Sequence, residues 1–140
     1  MLKSIAIAAV IALSTGGAAL AQDAATVDGF FARAESEVLG GARPVNQARG
    51  SLAALATADH TFRLEAGKSY MFIGMCDNGC SDMDMAVGDP SGKNIGSDVE
   101  DDDTPVVQVQ AAASGNYTVR AAMTVCSTSR CFYGVRVYEL

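Results

Sequence analysis

Residues 116–126 read NYTVRAAMTVC. Tyr117, Val119, Ala121, Met123 and Val125 alternate with Thr118, Arg120, Ala122 and Thr124. A period of two puts each set on its own side of an extended chain, the mark of a strand with one buried face. The rhythm recurs upstream. Tyr70, Phe72 and Gly74 face away from Met71, Ile73 and Met75, and Met83, Met85 and Val87 oppose Asp82, Asp84 and Ala86. Runs separated by Gly, Asp, Asn, Ser and Pro predict strands at 51–57, 60–66, 69–76, 82–88, 93–97, 105–111, 116–126 and 131–139. Short strands with no helix between them predict an all-β fold, an antiparallel jelly-roll-like β-sandwich.

The turns between these runs have their own chemistry. Asp89-Pro90-Ser91-Gly92 carries the residues a type I turn favours at its first, second and fourth positions. Glu65-Ala66-Gly67-Lys68 and Ser114-Gly115-Asn116 read as tight reversals. Ahead of the strands, residues 23–39 predict one short helix. Val27, Phe30, Phe31, Ala34 and Val38 form its apolar stripe. Asp23 and Asp28 suit the start of the helix dipole, and Gly40-Gly41 with Pro44 stops it. The stripe is expected to pack on the domain, with a partner-docking helix as the alternative.

Residues 1–21 read as a secretory signal. Lys3 gives the positive start, Ile5 to Leu13 the apolar run, and Ala19-Leu20-Ala21 a cleavage pattern before Gln22. The run is short beside the roughly 20 residues of a bilayer span. The expected division is a removed signal at 1–21, helix and linker at 22–50, and the sandwich at 51–140. The protein is then periplasmic or secreted and not membrane-embedded. Of the 140 residues 10 are basic and 16 acidic, a net charge of -6. That balance argues against nucleic acid or an anionic membrane as partner.

Export places the four cysteines in an oxidising compartment. Cys76 and Cys80 form one close pair, Cys126 and Cys131 another. Four cysteines allow three connectivities. Local pairing is expected, and pairing across the two loops is the alternative. The spacings are not CxxC, which disfavours a redox motif or a four-thiolate zinc site.

The acids are unevenly spread. Asp77, Asp82, Asp84, Asp89, Asp98, Glu100, Asp101, Asp102 and Asp103 lie within residues 77–103, and only Lys93 offsets them. Asp82 and Asp84 share a strand face. So many carboxylates repel one another unless water or a cation intervenes. Hard oxygen ligands at this density suit Ca²⁺, with Asp82, Asp84, Asp98 and Asp101 as candidate ligands and Asp102 and Asp103 behind them. An EF-hand does not fit, since Ala86 stands at the next ligand position. A solvated acidic loop is the plain alternative.

Catalytic sets are missing. His60 is the single histidine, Trp is absent, and no GxSxG, GxxxxGK[ST] or GxGxxG occurs. His60 reads as a surface or packing residue. The sequence therefore points to a non-enzymatic exported binding or interaction module. Its partner is an unknown protein or polysaccharide, and Ca²⁺ is the candidate stabilising ion. The alternatives are a small secreted hydrolase using the acidic cluster, and a structural envelope protein assembled through the helix.

Four pieces occur in a familiar order: Leu64-Glu65-Ala66-Gly67-Lys68-Ser69-Tyr70, then Ser81-Asp82-Met83-Asp84-Met85, then Asp89-Pro90-Ser91-Gly92, then Ser114-Gly115-Asn116-Tyr117-Thr118-Val119. Over about residues 51–140 the chain resembles the bacterial pre-peptidase C-terminal domain. The resemblance implies a jelly-roll sandwich in an exported protein. Members typically follow secreted proteases, and relatives in collagenases bind calcium and collagen. By the same resemblance Asp82 and Asp84 take the family's Asp-x-Asp strand. The two cysteine loops stand outside that pattern.

Overall fold

The computed structural model describes the chain from residue 16 to residue 140, with side chains from residue 24. Lys3 and the apolar run of the expected signal peptide lie outside the described residues. One helix precedes eight strands: α1 (Gly16–Glu37), β1 (Asn46–Leu52), β2 (Thr57–Leu64), β3 (Ser69–Cys76), β4 (Cys80–Gly88), β5 (Asn94–Asp98), β6 (Val106–Gln110), β7 (Gly115–Cys126) and β8 (Cys131–Glu139). The strands form two antiparallel four-stranded sheets, ordered β1-β8-β3-β6 and β2-β7-β4-β5. This is the all-β sandwich that the alternation predicts.

The inward faces are the ones read from the sequence except where the β4–β7 ladder is irregular: there Val125 is exposed and Asp82 is buried. Tyr117, Val119, Ala121 and Met123 of β7 meet Met83, Met85 and Val87 of β4 and Phe72 of β3 in the core between the sheets. His60 sits in this layer half-buried, sharing a 2.6 Å hydrogen bond with the Tyr133 hydroxyl across the gap between the sheets. Burial disfavours its charged form and lowers its pKa, with Asp59 opposing.

Strand β3 is apolar on both faces, and α1 explains why. Val27 and Phe31 pack with Ile73 and Tyr138 on the outer face of the first sheet, with Met71, Met75 and Phe132 around them. Arg136 anchors the contact. Its guanidinium lies 4.5 Å from the centre of the Phe31 ring and donates to Glu35 at 2.7 Å. The Tyr138 hydroxyl donates to the same carboxylate at 2.8 Å. Burial, then Glu35, pushes the Tyr138 pKa up. Gly40 and Gly41, both at positive φ, end the helix, and the Gly41 N–H donates to the Glu35 carbonyl at 2.7 Å.

Three expectations change here: α1 runs Gly16–Glu37 instead of 23–39, so Asp28 lies inside it and no acid stands in its first turn. The helix stripe is narrower than its periodicity suggested: Val27 and Phe31 are buried, while Phe30 and Val38 are exposed. The first strand is β1 at Asn46–Leu52, not 51–57, and residues 53–56 are the turn that leads into β2. β1 is an edge strand in which Gln47 and Arg49 are exposed, so it carries little apolar alternation to read.

Candidate functional site

The connections divide between two ends of the sandwich. At one end lie β2–β3, β4–β5 and β6–β7, the turns built from the sequence pieces quoted above. The Ser114 hydroxyl accepts from the Ala66 N–H at 2.9 Å, and the Tyr117 hydroxyl donates to the Ala113 carbonyl at 2.7 Å. Pro90 of the second turn lies against Gly115. Asp89 accepts from Ser91 and from the Lys93 N–H, which lowers its carboxyl pKa. These residues tie three turns together. Their work is structural.

The other end holds the cysteines and most of the acids. Cys76–Cys80 and Cys126–Cys131 are the two disulfides, the local pairing. Asp77 is buried between them. Its carboxylate accepts from the Gly79 N–H at 3.0 Å and the Phe132 N–H at 2.8 Å, joining one staple to the strand that leaves the other. Arg130 donates to the Ser51 carbonyl at 2.6 Å and fastens the β7–β8 loop to β1.

Next to this frame runs the β5–β6 loop. The Met83 N–H donates to the Asp102 carbonyl and the Gly74 N–H to the Pro105 carbonyl, both at 2.9 Å. The loop is thereby held against a strand of each sheet. Several of its carboxylates are used locally. Asp98 accepts from the Glu100 N–H with one oxygen and from the Val106 N–H with the other. Asp102 accepts from the Thr104 N–H and Asp103 from the Thr104 hydroxyl.

Asp82 differs. It is 8% exposed, and its Oδ1 is buried with no hydrogen-bond partner. Desolvation raises its carboxyl pKa, and the negative charges of Asp84, Asp101 and Asp102 raise it further. The structure thus brings Asp82, Asp84 and Asp101 of the four candidate ligands into one field and commits Asp98 to backbone. Among the described residues, no three His, Cys, Asp or Glu side chains are already gathered as a metal-holding group. Sequence reasoning found the acidic cluster and set Asp82, Asp84, Asp98 and Asp101 above the other acids, but it could not separate Asp82 from Asp98. The irregular ladder on both sides of Asp82 has no sequence signal.

A stability prediction follows from the Asp82 environment. A carboxylate whose folded pKa is raised weakens the fold above that pKa. The penalty is released as pH falls through the folded pKa and is absent below the unfolded value of about 3.9. Asp82 lies just under the surface, which limits the effect. Asp82→Asn should therefore stabilise the protein at pH 7 by about 1 kcal/mol, with the gain shrinking toward acid. Urea unfolding across pH reads this directly. A variant less stable than wild type at pH 7 contradicts it.

No protein-family model matches the chain, and no curated protein sequence matches it. Solved structures do resemble it. A periplasmic lysozyme inhibitor of g-type lysozyme from Aeromonas hydrophila, PliG, superposes with a TM-score of 0.51 at 21% identity, over 72% of this chain and 90% of that one. The pre-peptidase C-terminal domain of a collagenase from Bacillus anthracis does so with a TM-score of 0.52 at 16% identity, over 66% of this chain and 87% of that one. At these identities the likeness shows the fold: a β-sandwich of the pre-peptidase C-terminal kind or a related one. Among the described residues no helix is long and apolar enough to cross a membrane.

Proposed function

We propose that the chain is a non-catalytic, exported binding module whose disulfide-stapled end receives a cationic protein. The observation that carries this reading is the buried, unpartnered Oδ1 of Asp82 within the field of three further carboxylates. A burial that costs free energy in the isolated molecule is repaid when a positive group arrives. The two disulfides and the leader pattern support export. A polysaccharide partner is the weaker reading, because seven of the nine aromatics are buried and only Phe30 and the half-buried Phe132 are left to meet a sugar.

The protein to try first is a g-type lysozyme, since a periplasmic inhibitor of that enzyme shares the fold. Calorimetric titration should give saturable binding that weakens steeply with salt. Asp82→Asn should raise Kd about tenfold or more, the range expected for loss of one charge-assisted contact. Absence of binding at low salt counts against this reading.

Ca²⁺ at Asp82, Asp84 and Asp101 is a second reading, favoured by the same uncompensated oxygen. It predicts heat on addition of CaCl₂ and a higher melting temperature, both lost in Asp82→Asn. A melt unchanged by CaCl₂ removes it.

A further inference from the structure

The turn between β1 and β2 is Ala53-Ala54-Leu55-Ala56, closed by the Ala56 N–H donating to the Ala53 carbonyl at 3.1 Å. Leu55 has φ 66°, the one positive φ among the described non-glycine residues. An L-residue with a bulky side chain is strained there, whereas glycine is at ease. The leucine side chain gains nothing inside the molecule, being 83% exposed. The turn thus holds strain and bare apolar surface at one position, and neither serves the fold.

Its place gives it a use. The Leu55 N–H donates to the Met123 carbonyl at 2.6 Å. Met123 pairs with Met83 in the β4–β7 ladder, and the Met83 N–H donates to the Asp102 carbonyl. Four chain segments therefore lie side by side across the tip of the second sheet, with Leu55 at one end of the row and Asp102 at the other. At about 5 Å per strand the row spans about 15 Å. In the adjoining row Val125, itself exposed, stands opposite Asp82. Apolar surface and uncompensated negative charge thus share one tip.

We propose that Leu55 is the apolar anchor of the acidic binding end. The occupant is a folded cationic protein with an apolar pocket about 10–15 Å from its positive groups, matching the strand spacings between Leu55 and the carboxylates. Charge complementarity selects that partner over an acidic or neutral one. The backbone hydrogen bonds of the turn hold the anchor in place before the partner arrives, which lowers the ordering cost of association. This inference rests on the reading of the end as a site for a cationic protein.

The test uses the mature chain, g-type lysozyme as probe, and three variants followed by calorimetry and melting. Leu55→Gly should keep or raise the melting temperature, because glycine accepts the positive φ, and should raise Kd tenfold or more. Leu55→Ala keeps the strain and should lose affinity equally without gaining stability. A residue with a structural role would lose stability in both. Asp82→Asn separates the two claims. If it weakens binding while Leu55→Gly binds as wild type does, the anchor is wrong and the acidic end stands. If wild type does not bind, the functional reading falls and the anchor falls with it. A lower melting temperature for Leu55→Gly also overturns the anchor.

Discussion

Replacing Phe31 by Ala should lower the stability of the protein by about 3–5 kcal/mol. The ring is 1% exposed. It rests against the bare backbone of Gly134, where a Cβ would come within 3.0 Å of it. It also supports the Arg136 guanidinium that pairs with Glu35. Truncation leaves a cavity, uncovers Ile73 and Tyr138, and loosens a mostly buried ion pair. Domains of this size are stable by about 5–15 kcal/mol in total, so the denaturant midpoint should fall by a large fraction. Phe30→Ala, one residue earlier on an exposed face, should change it little. Equal midpoints for the two variants would mean that α1 is not an integral layer of the domain.

The second large effect concerns the staples. On the chain-entropy model, closing a loop as short as either disulfide's contributes about 2 kcal/mol. Loss of both then costs about 4 kcal/mol, or roughly 15 °C of melting temperature in a domain of this length. Scanning calorimetry of the reduced protein, or of a chain with all four cysteines changed to Ala, measures it. The damage should centre on the acidic end, because Cys76 Sγ lies 3.6 Å from the Asp103 carbonyl. Amide exchange there should rise before that of β7. An unchanged melt would show that Asp77 and Arg130 suffice to hold the loops.

The sandwich was legible where burial is one-sided. In β4 and β7 every second residue is apolar because each strand has one face on the core. It was illegible at β1, an edge strand, and at the turn after it. The turn has no Gly, Asn or Pro to announce it, since Leu55 takes the conformation glycine normally supplies. The helix was visible by period, but its buried line could not be chosen between the adjacent rows of Phe31 and Phe30, because that depends on where β8 presents Gly134. The acids show a different limit. Composition revealed a cluster, yet Asp77, Asp89 and Asp98 serve as hydrogen-bond acceptors for nearby backbone. Only tertiary placement sets Asp82 apart. Three of the four sequence pieces that carry the family resemblance meet at the opposite end, where they fasten turns, and the fourth, Ser81–Met85, lies on β4 at the acidic end.

The most direct measurement is the titration of the Asp82 side-chain carboxyl by carbon-detected NMR in the free protein, repeated with g-type lysozyme bound. The pKa should lie above the ordinary carboxylate value of about 3.9 in the free state and fall when the positive partner covers the site. A free-state value at or below the ordinary one would show that Asp82 is already compensated, and nothing at that end would be waiting for a cation.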